Sequence, residues 1–557
     1  MAGALPEACD VLVVGAGAGG MAAAFAAAVA GLDVLLVEKE QVVGGSTALS
    51  GGVIWAPGNR LFTGTREADP AAAALTYLRA EAGNRLDESL ARRFLAEVPR
   101  IVDLLVAQAG LRLVAPVYPD YHPALPGWSA GGRAVRPAPF DGRLLGADLA
   151  LLRRPLPSMT LLGGMMVSAE DIAPLSQATR SPAAAVAAAR LVGRYASDRL
   201  RHGRATRLTN GNALAAALLH ALLARGVRPR TGVALREILL QDGRAIGAVV
   251  ARDGASHRIR ARRGVVLATG GVPHDAALRA ELGLAGIGPS LAPPGSAGDG
   301  VRAARGAGGM LRDDLAAPVA WVPVSDVPRP DGGTTPHPHF FDRSKPGFLI
   351  VDRSGRRFAS EALSYHDLGP LIAARPGGVA FLVCDARAMR RHGIGAARPW
   401  PAANRALRRA GYLIREPTPE ALALRLGVDP AGLAGTLSTW NAHAARGEDP
   451  AFGKGGDAYQ RHIGEAGHAP NPCIAPLAEP PFFAVRLRAG DIGTFAGLRV
   501  DGDARVLRAD GTPILGLHAV GNDMASVMGG TYPGPGITLG PALAFGVLAA
   551  ECLAAGA

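Results

Sequence analysis

The chain has 557 residues, 48% of them hydrophobic and 19% charged, which excludes both a single small core and a disordered chain. The net charge of +12 is almost wholly arginine, Lys39, Lys345 and Lys454 being the only lysines, and the arginines are spread out with no aromatic interleaving, so no nucleic-acid partner is expected. The cysteines, Cys9, Cys384, Cys473 and Cys552, lie far apart with no CxxC pair, which argues against a disulfide framework or a zinc site.

The first segment, MAGALPEACD, carries neither a positive n-region nor a cleavable apolar core, and the apolar run after it is broken by glycines, Asp33 and Glu38. No signal peptide or transmembrane helix is expected, and a cytoplasmic enzyme is the default. Val11 to Val14 then reads as a buried parallel strand, Met21 to Ala30 as a helix ended by Gly31, and Val34 to Val37 as a second strand closing on Glu38. Between strand and helix stand Gly15, Gly17 and Gly20, spaced GxGxxG. In this βαβ setting Gly15 makes the tight turn, Gly17 lets a pyrophosphate approach the backbone, and Gly20 lets helix and strand pack closely. The helix N-terminus offers its free N–H groups to phosphate. Glu38 is placed to take ribose hydroxyls.

The next stretch, GGSTALSGGVIWAPGN (Gly44 to Asn59), adds a second loop of glycines and hydroxyls. Such a loop suits FAD better than NAD, whose nicotinamide binds across the sheet. Ser46 and Thr47 can donate to phosphate or flavin. Residues 72–110 carry helical spacing, 111–145 are rich in Pro and Gly, and 175–225 form Ala- and Arg-rich helix with Gly211-Asn212 at a helix start. The arginines of ARLVGRYASDRLRHGRATR are expected on a solvated helix face, with peripheral membrane contact the alternative. Val227 to Gly271 reads as strands, the last running into Thr269 and Gly270. Loops and a strand follow, helical stretches cover 385–412 and 418–446, and 447–480 is loop-rich. Near the end, ILGLHAVGND (Ile514 to Asp523) reads as one more buried strand, and YPGPGITLGPALAFG leads into an apolar helix beginning near Ile537 to Leu539. A cofactor site gathered from both ends of the chain suits an FAD domain interrupted by an insertion.

Several motifs resemble the 3-ketosteroid Δ1-dehydrogenases, within the wider fumarate reductase flavoprotein group: GGSTALSGGVIWAPGN, YPDYHP, SEALSYHDLG, GDIGTFAGL and YPGPGITLGPALAFG. The resemblance spans the chain. It implies an α/β fold in which a Rossmann-like FAD-binding domain of glutathione-reductase type (1–275 and 483–557) is interrupted by an inserted α+β catalytic, substrate-capping domain (276–482). FAD is expected at Gly15, Gly17, Gly20, Glu38, Gly45, Ser46, Thr47, Gly51, Gly52, Val233, Ala268, Thr269, Gly270, Gly521, Asn522, Thr538 and Leu539. It is expected to be noncovalent, since no histidine lies between Gly44 and Asn59.

The resemblance also implies roles. The Tyr532 hydroxyl and the Gly536 N–H grip the ketone of a 3-ketosteroid, Tyr365 removes the α-proton, Tyr121 supports the Tyr365 phenolate, and flavin takes hydride from the β-carbon. Within YPDYHP the Pro-Asp-Tyr spacing points to Tyr121 rather than Tyr118. His122 and His366 are expected to make loop hydrogen bonds rather than act as bases. The residues agree in part: three of only eight tyrosines sit in Gly/Pro/Asp-rich loops, where functional residues tend to lie. The alternatives are a smaller cyclic ketone, desaturation of a steroid at the 4,5 bond, and a fumarate-reductase-like enzyme. The last needs cations to clamp two carboxylates, and YPGPG contains none. An external, quinone-like electron acceptor is implied.

Overall fold

The computed structural model describes residues 4–64, 69–178, 181–399 and 401–556. β1 (Ala8–Val14) enters the core directly and hands the chain through the glycine turn to α1 (Ala18–Val29) and β2 (Val34–Glu38). Almost all of α1 is buried. Its alanines favour helix and keep it thin, so it fits between the sheet and another helix. α2 (Pro182–His202) and α3 (Asn210–Leu223) follow, and then β3 (Arg230–Thr231), β4 (Ala234–Gln241), β5 (Arg244–Arg252) and β6 (Ala255–Leu267). Of the arginines expected on a solvated face, Arg190, Arg194, Arg199 and Arg201 are exposed on α2. Arg204 and Arg207 lie beyond it and turn inward, Arg204 onto the Leu149 and Leu152 carbonyls and Arg207 onto Asp171.

The chain then builds a second sheet: β7 (Val319–Pro328), β8 (Thr334–Pro338), β9 (Phe348–Val351), α4 (Tyr365–Ala373), β10 (Val379–Cys384), β11 (Ile414–Glu416) and β12 (Phe482–Thr494). Its order is β8-β7-β12-β10-β9, antiparallel throughout, with β11 also on β12. β12 is therefore central to this sheet, and the chain rejoins the first one only beyond Thr494. Alternate β12 side chains serve two cores: Phe483, Val485 and Leu487 on one face, Phe482 and Ala484 on the other.

β13 (Arg505–Leu507), β14 (Pro513–Ala519) and α5 (Leu539–Ala555) complete the first sheet and its cover. The order is β13-β14-β6-β1-β2-β3, with β5 on β6 and β4 on β5. The four pairings from β14 to β3 are parallel. Parallel strands need both faces covered, and α5 packs along α1 to cover one of them. A Cβ on Gly546 would come within 2.5 Å of the Gly19 carbonyl, so glycine sets that distance. The expected α/β fold, with an open parallel sheet receiving an inserted antiparallel one, is the observed architecture. Residues at strand ends of both sheets line one cavity, and ligand sites in such folds lie at strand ends. All four cysteines are buried free thiols. Among the described residues no helix is long and apolar enough to cross a membrane, and no group of side chains could hold a metal ion.

Candidate active site

A cavity of about 590 Å³ lies between the sheets. Its inner end is built from the turns that close β1, β2, β6 and β14. Gly15 has φ +106°, and a Cβ there would meet the Ala268 carbonyl oxygen at 2.1 Å. A Cβ on Gly20 would lie 1.9 Å from the Gly15 carbonyl oxygen, so both glycines are required by the protein's own packing. Gly17 differs. A Cβ there would meet only Thr47 Oγ1, at 3.9 Å, so the space it leaves belongs to the cavity. Opposite it, Gly45 adopts φ +47° and faces the Gly17 backbone. Gly52 and Gly211 let the N-terminus of α3 press on this second loop: a Cβ on Gly52 would lie 2.6 Å from the Gly211 nitrogen. The Asn212 amide then donates to the Ala48 carbonyl at 3.2 Å and the Arg153 carbonyl at 2.8 Å.

At the end of β2 the Glu38 carboxylate accepts from Ala16 N–H and Glu40 N–H, both at 2.9 Å, and the Glu38 carbonyl accepts from Val233 N–H at 2.9 Å. Burial raises its carboxyl above the usual range. At the ends of β6 and β14, buried Asp523 accepts from Thr269 Oγ1 at 2.9 Å and Gly271 N–H at 2.8 Å, tying the two turns together. Every residue expected to hold FAD except Gly20 lines this one cavity, and Gly20 supports it from beneath. Thr47 Oγ1 accepts from the first N–H of α1, Ala18, at 3.0 Å, and this helix start, the glycine cradle around Gly17 and the Glu38 carboxylate fit a dinucleotide's pyrophosphate and ribose.

The outer part of the cavity is a cluster of phenols. Tyr532 and Tyr121 stack with ring centroids 5.7 Å apart, and Tyr365 meets Tyr532 edge-on at 5.0 Å. The Tyr121 hydroxyl donates to the Tyr365 hydroxyl at 3.3 Å. Tyr365 is the first residue of α4, which Ser364 caps by accepting from Asp367 N–H. Tyr532 is held by the rigid Pro533–Gly536 turn. The Pro533 carbonyl accepts from Tyr121 N–H and from the Tyr77 hydroxyl, both at 2.8 Å. Trp55 N–H donates to the Gly536 carbonyl at 3.1 Å. Gly536 lines the cavity, and its N–H makes no hydrogen bond within the protein among the described residues. Gly536 has φ +92°, and a Cβ there would come within 2.5 Å of the Val53 carbonyl oxygen. Glycine is thus demanded there by the neighbouring backbone.

Burial pushes the Tyr532 phenol up to about 12, against hydrogen bonds to Tyr365 and Thr538 that lower it. Burial drives Tyr365 and Tyr121 well above the ordinary phenol value; neighbouring phenols raise both further, except that the hydrogen bond with Tyr365 lowers Tyr121. Both histidines are hydrogen-bonded. His366 accepts from Trp321 N–H at 3.2 Å, and burial holds it near 4. His122 bridges Glu81 and Asp367, the latter at 2.8 Å. Tyr118 sits apart from the cluster, edge-on to His462. Two tyrosines that the motifs do not mark belong to the site: Tyr77 locks the Pro533 turn, and Tyr459 packs 4.6 Å from the Tyr121 ring.

A parallel sheet with a phosphate cradle opening onto a buried phenol cluster defines a flavin-dependent oxidoreductase. Residues 10–539 match the family described as FAD binding domain. The chain is 39% identical to a 4-oxocyclohex-2-ene-1-carboxylate 5-dehydrogenase of Sinomonas cyclohexanicum, covering 98% of this chain and 94% of that one. It is 34% identical to a 3-oxosteroid 1-dehydrogenase of Mycobacterium tuberculosis, covering 97% of both. The structure of 3-ketosteroid Δ1-dehydrogenase from Sterolibacterium denitrificans in complex with 1,4-androstadiene-3,17-dione superposes with a TM-score of 0.89 at 36% identity, over 99% of this chain and all of that one. The protein belongs to the FAD binding domain family, within its branch of ring-ketone and 3-oxosteroid dehydrogenases, and FAD is its cofactor.

Proposed function

We propose that the protein desaturates a 3-ketosteroid between C1 and C2. One observation carries this reading: Tyr532, Tyr365, Tyr121 and the Gly536 N–H converge at the outer end of the cavity whose inner end is the FAD cradle. The Tyr532 hydroxyl and the Gly536 N–H form a two-donor hole for the ketone oxygen, preorganised by Pro533 and Pro535. The α C–H bond breaks with its proton passing to Tyr365 Oη, while the electron pair delocalises towards the oxygen held by those donors. Tyr121, donating to Tyr365, disperses the phenolate charge that the base needs beforehand. FAD, when bound, supplies the hydride acceptor for the β-carbon. The buried phenols keep water from the reacting carbons. A quinone-like compound of the cytoplasm is the proposed final electron acceptor, with FAD held noncovalently.

A second reading, a smaller cyclic ketone desaturated by the same residues, is favoured by the 39% identity to the Sinomonas enzyme. The anaerobic holoenzyme decides between them. Rapid bleaching of the flavin by 4-androstene-3,17-dione, with 4-oxocyclohex-2-ene-1-carboxylate inert, is the expected result. The converse selectivity would replace the steroid by the small ring, and no bleaching by any cyclic ketone would overturn both.

A further inference from the structure

The phenol cluster has a charge problem that its own hydroxyls do not solve. The base must ionise, yet burial drives Tyr365 and Tyr121 the other way. His122, charged beside Tyr121, is held between the carboxylates of Glu81 and Asp367; a second cation, Arg343, stands behind the phenols. Arg343 is wholly buried. Its Nε donates to the His339 carbonyl at 2.9 Å, and its Nη1 to the carbonyls of Leu363, at 2.5 Å, and Glu361. Those bonds pin the guanidinium without neutralising it. The remaining nitrogen, Nη2, is buried without a hydrogen-bond partner, and the charge of the guanidinium acts on the Tyr459 phenol. Tyr459 packs 4.6 Å from the Tyr121 ring, and Tyr121 bonds to Tyr365. Tyr459 and Tyr121 therefore stand between the field of Arg343 and the proposed base.

The other charged groups around these residues are already engaged. Asp342 and Asp367 face Arg343, and Asp457 faces Tyr459. Asp342 bonds His339 Nδ1 at 2.7 Å and Gly395 N–H at 2.9 Å. Asp367 bonds His122 and the Ser364 hydroxyl. Asp457 accepts from the Gln460 side chain and backbone, both at 2.7 Å. Burial holds the His366 ring, near Tyr532, at about 4, so it is neutral at pH 7. An arginine does not give up its proton in a protein. Arg343 is thus the positive charge best placed to offset a phenolate in the cluster, and its field lowers Tyr121 and Tyr459.

We propose that Arg343, through the Tyr459 hydroxyl, is a positioning residue that holds the Tyr365–Tyr121 pair ready to carry a phenolate. This rests on the reading of Tyr365 as the base. The test uses the flavin-loaded holoenzyme, with Tyr459→Phe, Arg343→Gln and Arg343→Lys, on whichever ketone bleaches the wild-type flavin. Two quantities are read: the pH at which the rate of flavin reduction falls on the acid side, and, in the pre-reduced anaerobic enzyme where hydride transfer is blocked, loss of α-deuterium from the ketone to water. An opposite charge beside a titrating group moves it by about one pH unit or more. Tyr459→Phe and Arg343→Gln are expected to move the acid limb upward by that amount and to slow deuterium loss about tenfold at pH 7, with KM little changed. Arg343→Lys should restore much of the native profile. If Arg343→Gln does not fold, Tyr459→Phe decides alone. An unmoved acid limb in Tyr459→Phe, at native flavin content, overturns the proposal. A wild type inert to every cyclic ketone overturns the functional reading instead.

Discussion

Tyr532→Phe isolates one hydroxyl. The Tyr532 ring is buried among Tyr121, Tyr365, His366 and Phe495, and phenylalanine keeps all of those contacts. What is lost inside the protein is a hydrogen bond shared with Tyr365 and Thr538, worth about 1 kcal/mol of stability. What is lost in the reaction is larger. Removing one preorganised donor from an oxyanion hole costs about 3–4 kcal/mol of transition-state stabilisation, or roughly 10²–10³-fold in rate. The expected outcome is an unchanged flavin spectrum, a melting temperature lower by a few degrees at most, and kcat/KM down by that factor. Residual activity should remain, because the Gly536 N–H still donates. Steady-state kinetics at matched flavin content check it. A change in kcat/KM below about threefold removes Tyr532 from the mechanism and leaves the Pro533–Gly536 turn as a rigid helix entry only.

Gly17→Val should fold, since a Cβ there meets only Thr47 Oγ1 at 3.9 Å, yet emerge colourless; a yellow variant contradicts the assignment of that loop. Acid precipitation of the native protein should release all flavin to the supernatant. Tyr365→Phe should keep FAD and bind a dienone product while losing most turnover, and near-native turnover would move the base elsewhere. Gly536→Ala forces a Cβ onto the Val53 carbonyl at φ +92°, so it should cost about 1–3 kcal/mol and lower the melting temperature as well as ligand binding; kinetic loss at native stability would point to the ketone's path instead. Burial disfavours a charged His122, but the carboxylates of Asp367 and Glu81 hold it up at about 10. Its stabilisation is therefore complete below about pH 6.5 and is lost as pH rises towards 10, so the melting temperature should fall over that interval, and do so less in His122→Gln.

The inner half of the site is legible in the sequence because its signals are local. Gly15, Gly17 and Gly20 fall within one turn between a strand and a helix, and each has a geometric reason to lack a side chain that its spacing already indicates. The outer half is legible only where a motif is stiff enough to mark its tyrosine, as Pro533 and Pro535 mark Tyr532. Tyr77 shows the limit. It lies on the apolar face of the helix Pro70–Ala82 and reads as ordinary core, and only the folded chain brings its hydroxyl to the Pro533 carbonyl. Tyr459 and Arg343 sit in loop-rich sequence with no periodicity to distinguish them. β12 likewise opens like the C-terminal strands that follow it, but its partners are β7, β10 and β11, which are set by long-range pairing.

The two halves of the site impose opposite demands on one another. Hydride transfer needs water excluded, and stacked phenols accomplish that. The same burial raises the phenols that must donate to the ketone or ionise. For a donor the effect is harmless, since a phenol near 12 stays protonated and aims its hydrogen at the oxygen. For a base it is prohibitive unless charge of opposite sign is fixed nearby. A cation at the cavity wall would be hydrated and mobile; one pinned behind the rings by three backbone carbonyls is neither. On the proposed reading one residue type takes two roles: Tyr532 remains a donor, while Tyr365, bonded to Tyr121, which packs on Tyr459, is the phenol whose negative charge Arg343 offsets.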